Sequence, residues 1–242
     1  MILEKEKGLS SFTLKLIAIL AMTVDHAAWL FVPTQSFWGQ TLHIIGRLTA
    51  PIMFFFIAEG YRHTRSVWKY AGRLFLFAAI STLPFSFYNT GKWSFYSFGI
   101  MYTLALGLLS IFAYDKIKNP IVSTLLIFIL CAASLYGDWP ILGVLFCLSF
   151  HIFHGHYKKQ CIAIGLMSIL YYVDRIITHV NNGGIFLDGV LANLFLLSIP
   201  LPIFILKFYN EEKRGKPSLR WIFYLYYPLH LIVIGVLFWN FK

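Results

Sequence analysis

Apolar positions along the chain gather into long runs parted by short polar breaks, and the runs follow one another from end to end. There are nine, at approximately 13–32, 41–60, 70–88, 97–114, 120–136, 140–155, 160–180, 186–206 and 221–240. A bilayer core of about 30 Å is crossed by about 20 helical residues. The pattern therefore predicts an all-α fold, a polytopic transmembrane helix bundle of about nine spans, with eight to ten as the range. The fifth and sixth runs are short and share the tight link Tyr136-Gly137-Asp138-Trp139-Pro140. They also read as a re-entrant hairpin, which leaves the sidedness of everything later unchanged. Residues 1–242 are expected to form a single integral-membrane domain, with Tyr209 to Ser218 as its longest solvated loop. No internal repeat pairs the runs into inverted halves, which weighs against many transporter folds.

Composition supports this reading. The 242 residues are 59% hydrophobic and 12% charged, about half the charge of an ordinary soluble domain. The 24 Phe, 14 Tyr and 7 Trp suit contact with lipid and headgroups. Glu4 and Glu6 alternate with Lys5 and Lys7 ahead of a long run containing Asp25 and His26. That reads as a first span and not as a cleavable signal. Cys131, Cys147 and Cys161 lie in or beside apolar runs without metal or disulfide spacing, and read as small buried hydrophobes.

The net charge of +10 changes the picture by its distribution. Lys5, Lys7 and Lys15; Arg62, Arg65, Lys69 and Arg73; Lys116 and Lys118; Lys158 and Lys159; and Lys207, Lys213, Arg214, Lys216 and Arg220 fall in or beside alternate breaks. The opposite set holds Lys92, Arg175 and Lys242, with Arg47 inside a run. The positive-inside rule accounts for this sixteen-to-three bias without nucleic acid. It predicts a cell-membrane protein, multi-pass in the inner membrane, with its N-terminus cytoplasmic.

Ionisable residues within spans are costly and mark candidate chemistry. The first run carries Asp25 and His26, and the second carries Arg47. Counted from the shared outer break, they lie at similar depth, about 10 Å in. Two antiparallel neighbours could bring them together. An Asp25–Arg47 ion pair pinning two helices would explain those two residues alone, but it leaves His26 unexplained. The second run ends in Glu59, Arg62, His63 and Arg65, with Glu59 and His63 spaced i,i+4. If the helix continues, Arg62, Arg65, Lys69 and Arg73 line one face, suited to phosphates or to anionic headgroups. In the last run Pro228 permits a kink between Tyr227 and His230. His230 could line a cavity with His26 or cap a freed carbonyl. His43, Asp138, Asp174, Arg175, His179 and Asp188 form a loose outer group that could shape an acceptor site but reads mainly as interfacial. His151, His154 and His156 have no metal spacing and no carboxylate near them in sequence. No metal site, nucleotide loop or serine-hydrolase elbow is present.

The run Leu14 to His26, the run Ile45 to Phe56, and Ala58 to Arg65 with Tyr70 and Arg73 resemble the TraX family. Tyr224 to His230 resembles that family's closing helix, so the resemblance extends over the whole chain. It implies a membrane acetyltransferase, similar to a broader group of membrane acyltransferases that use cytoplasmic acetyl-CoA. By that resemblance His26 is the catalytic base and Arg62-His63-Thr64-Arg65 binds CoA phosphates. No cofactor would be bound permanently, and acetyl-CoA would be a co-substrate. Partners would be membrane lipids, the CoA thioester donor and a membrane-associated or exported acceptor, such as a protein N-terminus.

The implied chemistry is acyl transfer to an amine or hydroxyl. His26 takes the acceptor's proton, Asp25 orients the imidazole, and Arg47 stabilises the carbonyl oxygen. Lys69 and Arg73 join Arg62 and Arg65 around the donor, and Glu59, His63, Tyr227 and His230 border the cavity. Two rival readings use the same residues: a proton-coupled transporter, and a non-enzymatic membrane assembly component.

Overall fold

The computed structural model describes residues 8–95, 98–211 and 219–241. Glu4 to Lys7, the side chain of Arg220, Lys242 and most of the 209–218 loop, with Lys213, Arg214 and Lys216, lie outside the described residues. Eleven α-helices account for most of the rest: α1 Ser11–Phe31, α2 Phe37–Gly46, α3 Thr49–His63, α4 Val67–Thr90, α5 Ile100–Lys116, α6 Pro120–Ala133, α7 Leu142–Ile152, α8 Tyr157–Asn181, α9 Phe186–Ala192, α10 Pro202–Leu206 and α11 Leu219–Asn240. Among the described residues there is no β-strand, only an isolated bridge between Leu9 and Tyr209.

Each of the nine apolar runs is helical, but the expectation of nine spans is corrected. Among the described residues, five helices are long and apolar enough to cross a membrane: Ser11–Phe31, Phe37–His63, Val67–Thr90, Tyr157–Asn181 and Trp221–Asn240. A sixth arises if Phe186–Ala192 and Leu194–Leu206, bent by 42°, count as one. The other three fall short because polar caps and turns cut the apolar runs. At 1.5 Å per residue, the 11 residues of α7 reach only about 16 Å. Helix α6 has 14 residues, and with α7 it fits a re-entrant hairpin better than two crossings.

The chain divides into two compact units, 1–52 with 155–216, and 53–154 with 217–242. In the first, α1 and α2 form a hairpin through the turn at 32–36. Ser36 caps α2, its hydroxyl donating to the Pro33 carbonyl (2.7 Å) and accepting the Gly39 amide (2.9 Å). Helix α1 buries Leu14, Ala18, Ala21, Met22, Asp25 and Ala28, which recur at helical spacing on one face. The alanines let a neighbouring backbone come close. Helix α8 shows large apolar side chains such as Leu166 and Leu170 outward, as a lipid-facing helix does.

The second unit is built on α5, which is buried almost all round: Met101, Thr103 through Leu108, Ser110, Ile111 and Ala113. Against it pack α4, α6 and α7, and α11 packs on α4. Leu106, Leu130, Cys131 and Val144 form an apolar cluster there. Cys131 and Cys147 are buried free thiols, and Cys161 is a half-buried one.

Candidate functional site

Asp25 extends the buried face of α1, so its carboxylate enters the first unit and does not meet lipid. The second apolar run is interrupted at Arg47 and Leu48, between α2 and α3. Pro51 supplies the cause: without an N–H, it cannot close the helical bond to the carbonyl four residues earlier, that of Arg47. The chain turns there instead, with the Leu48 amide donating to Ile45 at 3.1 Å. Arg47 thus caps the C-terminus of α2, where a cation complements the helix dipole. One turn back on the same face is His43.

Both side chains close on Asp25. Arg47 Nη2 donates to Asp25 Oδ2 at 2.5 Å, and His43 Nδ1 lies 2.8 Å from Asp25 Oδ1. All three are buried, His43 completely. A carboxylate shared by a guanidinium and an imidazole keeps its charge satisfied in an apolar bundle. The other ring nitrogen, His43 Nε2, is buried and has no hydrogen-bond partner among the described residues. The His43 ring packs between Trp29 (centroids 4.2 Å apart) and Phe195 (5.0 Å), and Arg47 lies over the Phe195 ring at 5.2 Å. His26, about 100° round the helix from Asp25, is half-buried.

Two further residues hold this arrangement. A Cβ on Gly46 would collide with the Asp25 side chain, so only glycine lets α2 come this near the carboxylate. Gln40 joins α2 to the segment after α9. Its Nε2 donates to the carbonyls of Thr34 (2.8 Å) and Ala192 (3.1 Å), and its Oε1 accepts the Phe195 amide (3.0 Å). Neither Gly46 nor Gln40 carries a signal in the local sequence pattern. His43 reads as interfacial from sequence, yet its i−4 spacing from Arg47 is the signal that puts it on Asp25. Arg47 also lines a cavity of about 400 Å³ with Trp29, Phe195 and the polar side of α8, whereas neither His43 nor His26 is among the lining residues.

In the second unit the basic stripe is distributed over two helices. Helix α3 ends at His63 and α4 starts at Val67. The condition that one continuous helix carries Arg62, Arg65, Lys69 and Arg73 is therefore not met. Glu59 is buried and holds both Arg62 and His63, the latter at 2.8 Å. Arg65 and Lys69 are exposed, and Arg73 lies over the Tyr70 ring at 5.4 Å. Tyr70 fits here because Gly60 leaves room for its ring. The Tyr227 hydroxyl accepts the Ile100 amide at 3.2 Å and pins α11 to the start of α5. His230 Nδ1 bonds the Tyr226 carbonyl at 2.9 Å, four residues back, while the ring stacks on Tyr226. That is not the carbonyl that Pro228 frees, which belongs to Tyr224. His151, without a neighbouring carboxylate in sequence, acquires one through the fold: Asp115 accepts from Tyr61 and contacts His151 Nε2, each at 3.1 Å. Among the described residues no group of three or more His, Cys, Asp or Glu could hold a metal ion.

Comparison with known proteins bears on what these residues belong to. The family model described as "TraX protein" matches residues 10–238. The chain belongs to the TraX family. It is also 34% identical over 236 residues to the "Probable fimbrial assembly protein FimC, serogroup H1" of Dichelobacter nodosus, covering 93% of this chain and 94% of that protein. No solved structure matches. The match includes the whole Asp25–His43–Arg47 cluster and nearly the full run of helices, so this TraX-family chain is a helical membrane protein over its matched length.

Proposed function

We propose that this TraX-family chain is a membrane acyltransferase, moving acetyl from cytoplasmic acetyl-CoA to an amine or hydroxyl of a membrane-associated or exported acceptor. The observation that carries the proposal is the Asp25 carboxylate buried between His43 Nδ1 and Arg47. A carboxylate accepting from Nδ1–H fixes the tautomer and leaves Nε2 as the basic nitrogen. That nitrogen of His43 is the one lacking a partner. His43 and His26 are the two imidazoles that bear on Asp25, and the hydrogen bond favours His43 as the base.

The step balances without a metal or redox partner. The acceptor's nitrogen or oxygen attacks the thioester carbonyl while the imidazole takes its proton. The new C–N or C–O bond forms, the C–S bond breaks, and the imidazolium returns the proton to the departing CoA thiolate. Arg47 stabilises the carbonyl oxygen as it gains charge. The exposed Arg65 and Lys69, with Arg62 and Arg73, offer cations for the CoA phosphates. The distribution of Lys and Arg supports an inner-membrane location with the N-terminus cytoplasmic.

A second reading, a non-enzymatic membrane assembly component, is favoured by the printed name of the Dichelobacter relative. The experiment separates the two. Purified protein in liposomes is given acetyl-CoA labelled in the acetyl group. Acyl transfer predicts thioester consumption by the wild type, loss in His43→Ala, a smaller loss in His26→Ala, and weaker donor binding in Arg62→Ala. Equal consumption by all variants and by empty liposomes removes the enzyme reading and leaves the assembly role.

A further inference from the structure

The cavity beside the Asp25 cluster is lined in a way that the buried cluster alone does not require. On α8 and its C-cap, Tyr171, Arg175, Thr178 and Asn182 recur at steps of four, three and four and line it together. This is a polar stripe on a helix whose other sides carry exposed leucine, isoleucine and valine. Arg175 is an exposed member of the stripe, about two turns from the end of α8, so its guanidinium is open to a ligand entering the cavity. Trp29 and Phe195 add flat aromatic rings to the lining. At about 400 Å³ the cavity falls within the range of small-molecule sites.

Charge decides what would fill it. No Asp or Glu lines the cavity. The Arg47 charge is balanced by Asp25. The Arg175 charge is not balanced, since among the described residues Arg175 forms no ion pair. One guanidinium fork therefore remains available, with amide and hydroxyl groups and aromatic rings in the same lining. We infer that this cavity binds an anionic group, a carboxylate or phosphate, attached to an apolar or flat body. The site exists whether or not the chain transfers acyl groups, because occupancy needs no thioester. Such an anion could be an anionic phospholipid headgroup or part of a soluble molecule, and the test separates the two.

Full-length protein is placed in phosphatidylcholine nanodiscs with a small fraction of phosphatidylglycerol, and retained lipid is read by native mass spectrometry. In a second arm, glycerol 3-phosphate is titrated into discs of phosphatidylcholine alone. The expected result is one anion retained by the wild type in one of the two arms. Arg175→Gln should lower its occupancy by about tenfold, the cost of a charge-assisted bond. Arg175→Lys should keep part of it, the charge remaining but the fork being lost, and so report that the fold tolerates change at this position. Retention in the first arm assigns the site to a headgroup, and saturable binding in the second assigns it to a soluble anion. No preference for either anion over phosphatidylcholine, or equal binding by wild type and Arg175→Gln, overturns the inference.

Discussion

His43 and Asp25 meet at 2.8 Å inside the first unit, and Arg47 takes the other oxygen of the same carboxylate. The contact follows from two local features. Asp25 continues the buried face of an alanine-rich helix, and Pro51 ends the next helix at Arg47, one turn beyond His43. The acidic group is thus gripped by two bases from a single helix end.

Removing both members of the pair should cost less than the sum of removing each alone. Asp25→Asn leaves the Arg47 guanidinium buried without its counter-charge, a loss of about 3–5 kcal/mol. Arg47→Gln does the same to the carboxylate. The double variant Asp25→Asn/Arg47→Gln should be less destabilised than the sum of the singles, by about 0.5–3 kcal/mol. Thermal unfolding of the four proteins in one detergent measures this cycle, and strict additivity would deny the pair any role in stability.

Gly46→Ala sets two effects against each other. In an open helix the change stabilises by about 1 kcal/mol. Here the added methyl would occupy the place of the Asp25 carboxylate, and overpacking costs about 1–3 kcal/mol. We expect net destabilisation together with weakening of the Asp25 contacts. Unchanged or raised thermal stability would show that α2 can move away freely.

Gln40→Ala should loosen the segment after α9 while leaving α1 in place. Three hydrogen bonds are lost, and the Phe195 amide and Ala192 carbonyl lose their partner. Each buried orphan costs about 1–3 kcal/mol. Hydrogen exchange should rise at Phe195, with little change at Asp25. Unaltered protection at Phe195 would contradict this.

Tyr227→Phe removes the acceptor for the Ile100 amide at the start of α5. A loss of about 1–3 kcal/mol is expected, with faster exchange confined to the first turn of α5. A loss spread evenly over the second unit would point to a packing role for the ring instead.

Much of this was legible in the chain. The nine apolar runs are helices, because periodicity and length act locally. The Asp25–Arg47 meeting could be foreseen, because both lie at equal distance from one short turn. The span count could not be read from the same pattern, since the apolar runs do not mark where helices α5, α6 and α7 stop short of a bilayer's width, nor the bend near Asn193. The roles of Gln40 and of the α8 stripe depend on which distant segments come together, which no local spacing encodes. The basic stripe assumed a continuous helix, and the turn between His63 and Val67 interrupts it.

The central claim is that an imidazole held by Asp25 serves as a base, and single-turnover kinetics tests it most directly. Wild type, His43→Gln and His26→Gln, reconstituted in liposomes, are mixed with labelled acetyl-CoA, and loss of the thioester is followed with time. The account predicts a fall of about 10²–10⁴-fold in rate for His43→Gln, a smaller fall for His26→Gln, and unchanged donor affinity in both. Wild-type rates in both variants, or no thioester loss in any of the three proteins, would contradict it.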